Sequence, residues 1–148
     1  MKFLNLLVFS VVLYVGSTST QKIAAQEIPY ADGPVWTFTF IRVKPGMLNT
    51  YLRDIAPQRK ALVDEAKTQG LILSSRILYG DSMGKDDWDL VILTEYKNWA
   101  AFDGLSEKFN TLLNKVIGSE QARIQWTTKR TEVRDIIGSK TMQELILK

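Results

Sequence analysis

Residues 34–44 constrain the fold more than any other stretch of this chain. Val35, Thr37, Thr39, Ile41 and Val43 alternate with Trp36, Phe38, Phe40 and Arg42, and β-branched or aromatic side chains dominate both sets. Period-two alternation predicts a strand, and the composition of both sets gives that strand two usable faces. Whatever folds around it must cover one face and find a partner for the other.

The segments that follow supply the cover. Pro45 and Gly46 stop the strand, and Leu48, Tyr51, Leu52, Ile55, Leu62, Val63 and Ala66 recur at helical spacing up to Gly70. Pro57 lies inside that helix and predicts a kink or break near Ile55. Residues 71–79 and 88–96 read as two strands of a hairpin joined by the polar loop 80–87. Asn98 is placed to cap a helix carrying Phe102, Leu105, Phe109, Leu112 and Leu113. After Gly118 a second helical piece, with Trp126, Val133, Ile136 and Ile137 in its stripe, is expected to end at Gly138, and residues 141–147 close the chain as a last strand. The predicted order is strand, helix, strand, strand, helix, strand. That is the split βαββαβ arrangement, an α+β fold with a four-stranded antiparallel sheet and helices on one face.

Composition limits the chemistry. The chain contains no histidine and no cysteine. Triads and dyads built on those residues, zinc sites of the usual nitrogen and sulfur type, haem attachment through thiols, disulfides and thiol redox chemistry are all excluded. No cofactor and no metal are expected, and what remains is oxygen and amine chemistry, or binding.

The first 25 residues read as a cleavable secretory signal. Lys2 supplies the positive start, residues 3–15 form an apolar run, and small polar residues lead to Ala24 and Ala25. The run, about 13 residues, is shorter than the roughly 20 that a membrane-spanning helix needs. Cleavage is expected after Ala25, with a cut nearer Ser17 or Ser19 as the alternative because Ile23 departs from the A-x-A pattern, giving an exported, periplasmic or extracellular, product that has no membrane partner. Residues 26–33 are expected to be a flexible lead-in, and residues 34–148 one compact domain. Losing the signal removes Lys2 and Lys22, which leaves 17 basic against 16 acidic residues. So balanced a surface gives no footprint for nucleic acid, and the short basic cluster Lys129-Arg130 is expected to be one solvated side of a helix.

The strand-to-helix signature Phe40-Ile41-Arg42-Val43-Lys44-Pro45-Gly46 and the passage Glu95-Tyr96-Lys97-Asn98 leading into Ala101-Phe102, taken with the element order, resemble the dimeric α/β-barrel superfamily, which includes antibiotic-biosynthesis monooxygenases and NIPSNAP-like proteins. The resemblance implies a ferredoxin-like domain whose open sheet face packs on that of a second copy, forming a homodimeric barrel around a small-molecule cavity. It also implies that Thr37, Thr39, Ile41 and Val43 face the helices, with Trp36, Phe38, Phe40 and Arg42 on the open face. An exposed apolar patch of that size independently calls for a partner. Many monooxygenases of the superfamily carry a histidine in the second helix, where this chain has Leu105. Ligation of haem by histidine is thereby excluded.

If Tyr79 pairs with Trp88, Arg76 and Asp89 join Arg42, Glu95 and the three aromatics on the open face. Two readings compete for this constellation. In one, Arg42 and Arg76 orient an anionic or carbonyl-bearing ligand on an aromatic floor and Glu95 or Asp89 acts as a base. In the other, each arginine pairs with a neighbouring carboxylate inside a dimer interface. The function expected is binding of a small, partly apolar ligand or a structural role, with a cofactor-independent monooxygenase or isomerase as the alternative. Asp81, Asp86, Asp87 and Asp89 read as a solvated turn, and Trp99, Trp126 and Tyr96 as packing residues.

Overall fold

The computed structural model describes residues 27–148; the expected signal segment lies outside the described residues. Strand β1 spans Tyr30–Val43, helix α1 Leu48–Thr68, strand β2 Ser74–Tyr79 and strand β3 Leu90–Tyr96. A 3-10 turn at Trp99–Phe102 then leads to helix α2, Leu105–Ile117, helix α3, Glu120–Thr131, and strand β4, Arg134–Leu147. The strands form one antiparallel sheet in the order β2-β3-β1-β4. With the helices on one face, this is the ferredoxin-like α+β fold. Among the described residues, no helix is long and apolar enough to cross a membrane.

Alternation along β1 sets the layering. Val35, Ile41 and Val43 are buried beneath the helices, whereas Trp36, Phe38 and Phe40 stay partly exposed on the other face. Full burial of each aliphatic side chain of this size contributes about 1.5–3 kcal/mol. The helix-facing core does not run unbroken along the sheet. Val35, Ala66, Ile72, Tyr96 and Leu112 form one cluster, and Ile41, Val43, Tyr51, Ile55 and Leu90 form another. Between them the sheet presents Thr37 opposite Thr94, with Ser75 of β2 beside Thr94. Small hydroxyl side chains in mid-sheet cannot fill the space that leucine or phenylalanine would, so the two clusters stay apart.

Several local expectations need correction. Helix α1 runs through Pro57 without a break. The Pro57 ring and Arg53, whose carbonyl would have received the missing N–H bond, are both on the exposed side of the helix, where the lost bond costs least. Strand β1 begins at Tyr30, so residues 30–32 of the expected lead-in are paired: Tyr30 stands opposite Leu147 and Asp32 opposite Leu145. Gly33 and Pro34 form a bulge, where Pro34 donates no ladder bond and a Cβ on Gly33 would come within 3.0 Å of the Glu144 Cβ.

The second helical piece ends at Thr131, not at Gly138, and Val133, Ile136 and Ile137 do not belong to it. Strand β4 starts at Arg134, seven residues before the expected position 141. Phe40 pairs with Gly138 and Ile41 with Ile136, which leaves Ile137 as the extra residue of a bulge. The β-branched pair Ile136-Ile137 imitates helical spacing with Val133, but pairing with the long β1 overrides it. The hairpin also differs in register. Tyr79 pairs with Leu90 rather than Trp88, which places Arg76 opposite Leu93 and Leu78 opposite Val91. A slip of two residues keeps every side chain on its predicted face.

Candidate functional site

The structure divides the expected charges: Arg42 and Asp89 line one depression at the end of β1 without forming an ion pair, whereas Arg76 lies in another. Trp36, opposite Glu95 and Met142, donates its indole N–H to the Glu144 carboxylate at 3.1 Å. Phe38 and Phe40 stack with ring centroids 6.3 Å apart, and Phe40 meets Trp88 at 5.0 Å. Arg42 donates to the Lys85 carbonyl at 2.5 Å, which ties the hairpin loop to the end of β1. Asp89 accepts the Val43 backbone N–H at 3.0 Å, and Glu95 accepts the Ser74 hydroxyl at 2.6 Å. Arg76 is exposed beside Trp36, Phe38, Leu78, Leu93 and Met142 in a shallow apolar depression.

Arg42 lies four residues along the sheet from the level of Phe38 and Arg76, and β3 separates the two strands. Their Cα atoms are therefore roughly 16 Å apart, from 3.3 Å per residue and 4.8 Å per strand. Two arginines at that distance do not grip one small anion. Among the described residues, no ion pair joins Arg42 or Arg76 to Asp89 or Glu95.

The other face holds an enclosure that the sequence reading missed. A cavity of about 160 Å³ opens between the two core clusters, bounded by α1, α2, α3, β2 and β3. Tyr51 and Ile55 from one cluster and Ala66, Ile72 and Tyr96 from the other contribute its walls. Two arginines line it, Arg59 from α1 and Arg130 from α3. Arg59 donates to the Ser75 hydroxyl at 2.5 Å, and Ser75 in turn donates to the Leu93 carbonyl at 2.9 Å. The Arg130 guanidinium lies 3.5 Å from the Trp126 ring centroid, and its Nε donates to the Trp126 carbonyl at 3.2 Å.

The electrostatics of this cavity are one-sided. Among the described residues its lining contains no carboxylate. Burial pushes the pKa of Arg59 down, and burial followed by the neighbouring Arg134 charge does the same to Arg130. Asp54, which acts favourably on Arg130, accepts a hydrogen bond from Lys129 at 3.0 Å. Trp126 also lines the cavity, and its buried indole Nε1–H has no hydrogen-bond partner. Burial raises the phenol pKa of Tyr51 and of Tyr96, so both remain protonated donors at neutral pH.

These placements revise the reading of Arg130, refine those of Trp126 and Trp99, and agree with that of the acidic loop. Lys129 is solvated, but Arg130 turns inward and is half-buried. Trp126 is a wall of the cavity, whereas Trp99 is 51% exposed and donates to Gln143 Oε1 at 2.9 Å. The acidic loop is a turn held by Asp87, which accepts the Met83 and Trp88 backbone N–H groups at 2.8 Å each. Among the described residues, no three His, Cys, Asp or Glu side chains cluster as metal ligands. A sequence signal for the cavity did exist. Arg59 falls four residues from both Ile55 and Val63, within the apolar stripe of α1, and Arg130 follows Trp126 by one turn.

No family model matches the chain, and no curated protein matches it. Similar solved structures include a dimeric ferredoxin-like protein from an uncultured marine organism, 20% identical over 78% of this chain and 97% of that one, with a TM-score of 0.49. A dimeric protein of ferredoxin-like fold from Bacteroides fragilis is 10% identical over 76% of this chain and 95% of its own, at a TM-score of 0.40. A candidate monooxygenase from Shewanella loihica is 14% identical over 80% and 96%, at 0.41. The fold of this chain stands on its own strand order, and its site on its own residues.

Proposed function

We propose that this protein is an exported homodimeric ligand-binding module, in which each subunit holds one small, partly apolar molecule between its sheet and its helices. The observation that carries the reading is the cavity between the two core clusters. Its volume matches that of an apolar protein cavity that accommodates benzene, about 150 Å³. Apolar walls with a few polar groups, here Arg59, Arg130, Tyr51 and Trp126, are the usual make-up of a small-molecule site.

The open face supports the dimer. Leu78 and Met142 are 53% and 45% exposed beside Trp36 and Phe38, and a second copy related by a twofold axis covers both faces at once. Arg42, Arg76, Asp89 and Glu95 then belong to the interface and its rim. Export rests on the residues 1–25 pattern. Recovery from the exported fraction of a chain starting at Gln26 supports that part, and a chain retaining Met1 and Lys2 opposes it.

Catalysis is the second reading, a cofactor-independent monooxygenase or isomerase, and one observation favours it: two protonated phenols, Tyr51 and Tyr96, line the same cavity. A base with a pKa near 7 is missing from that lining, which places binding ahead of catalysis. Native mass spectrometry of the exported protein tests both readings. A dimer carrying one small molecule per subunit supports binding, conversion of that molecule on incubation with air supports the enzyme, and bare monomers contradict the proposal.

A further inference from the structure

The cavity has walls suited to an apolar body and charges suited to an anion. A positive charge withdrawn from water normally keeps a carboxylate partner, because desolvation costs several kcal/mol per ion unless a counter-charge offsets it. Among the described residues the lining supplies two half-buried guanidinium groups and no carboxylate; Arg134 adds like charge to Arg130, and the countercharge of Asp54, outside the lining, is shared with Lys129. Both arginines are oriented before any ligand arrives. Ser75 holds Arg59, which still has four of its five N–H donors, and the Arg130 guanidinium lies 3.5 Å over the Trp126 ring, its terminal nitrogens without a partner among the described residues. Trp126, which lines the same cavity, has a buried Nε1–H without a partner among the described residues, whereas Gln58 and Arg134, which carry the other such atoms, do not line it.

We propose that the ligand is a small monocarboxylate with an apolar body of about one six-membered ring, its carboxylate held between Arg59 and Arg130 and its body lodged between the two core clusters. The inference rests on the cavity reading given above and adds the charge and size of the occupant. Inorganic phosphate meets the charge requirement alone, and benzene the size requirement alone. A planar carboxylate meets the forked donors of arginine in two parallel hydrogen bonds.

Titration calorimetry of the purified protein with benzoate, benzamide, benzene and inorganic phosphate separates the parts. Benzoate and benzamide have nearly the same shape and differ in charge. The proposal expects benzoate to bind at least tenfold more tightly than benzamide and than phosphate. Arg59→Gln and Arg130→Gln each should lower benzoate affinity at least tenfold while leaving benzamide within about twofold. The ratio in the unaltered protein requires no variant, and Arg130→Lys, which keeps charge but loses the fork, covers the case in which Arg130→Gln does not fold. Equal binding of benzoate and benzamide overturns the carboxylate while leaving the cavity reading intact. Phosphate binding as tightly as benzoate overturns the apolar body, and failure of benzoate, benzamide and benzene alike overturns both.

Discussion

Asp89 was a candidate base, and its geometry makes it a structural clamp, so its replacement separates the two roles. Three hydrogen bonds fix it: its N–H donates to the Ile41 carbonyl at 3.1 Å, its carbonyl accepts from Gly80 at 2.9 Å, and its carboxylate accepts the Val43 N–H at 3.0 Å. Alanine leaves the first two bonds and removes the third. Val43 is 6% exposed, so its N–H finds no ready replacement in water. A bond to a charged acceptor contributes about 1.5–3 kcal/mol, which sets the expected cost of Asp89→Ala. Asparagine retains a neutral acceptor in the same place and should cost about 1 kcal/mol. For a domain of this size each kcal/mol lowers Tm by roughly 3–5 °C, so the alanine variant should melt about 5–15 °C lower and the asparagine variant about 3–5 °C lower. Thermal unfolding followed by circular dichroism reads both. Equal losses for alanine and asparagine, or a loss under about 0.3 kcal/mol for alanine, would refute the clamp.

Leu112, 1% exposed in the core, should lose about 2–5 kcal/mol on replacement by alanine, measured by urea unfolding. Phe38→Asp should convert the dimer to a folded monomer in analytical ultracentrifugation, because it places a charge in the middle of the open face; a dimer that persists would place the interface elsewhere. Stability should fall on acidification. Hydrogen bonds from Lys115 and Gln69 hold the Glu65 pKa below its ordinary 4.5, and backbone N–H groups of Met83 and Trp88 hold that of Asp87 below 3.8. Carboxyls depressed in the folded state stabilise it above those ordinary values and lose that contribution as pH drops through the folded ones. Asp87→Asn should therefore flatten the acid limb of a stability-against-pH curve, and an unchanged limb would contradict the loop geometry.

The sequence carried the fold further than the site. Strand alternation in 34–44 sorted the side chains into two faces, the family resemblance assigned one set to the helices, and parity survives small errors of register: the hairpin slipped by two residues and Arg76 still emerged on the open face. Where local patterns conflicted with pairing partners, reading failed. Ile136 and Ile137 fit a helix from Val133 as well as a strand, and the decision belongs to β1, about a hundred residues away. The cavity was obscured for a different reason. It lies over the small side chains of Ser75 and Thr94, and such a gap is a property of the assembled layers rather than of any one element. Arg59 and Arg130 lay in view at inward positions of their stripes, but a long basic side chain at such a position usually reaches out to water, and only the packed helices show that these do not.

The central claim is that the ligand lies beneath the helices and not on the open sheet face. Methyl-resolved NMR of the protein titrated with benzoate tests it directly. Ile55, Ile72 and Ile92 line the cavity, whereas Leu78, Leu93 and Met142 line the open-face depression. The account predicts shifts in the three isoleucine methyls with the open-face methyls unmoved. Shifts confined to Leu78, Leu93 and Met142 would contradict it.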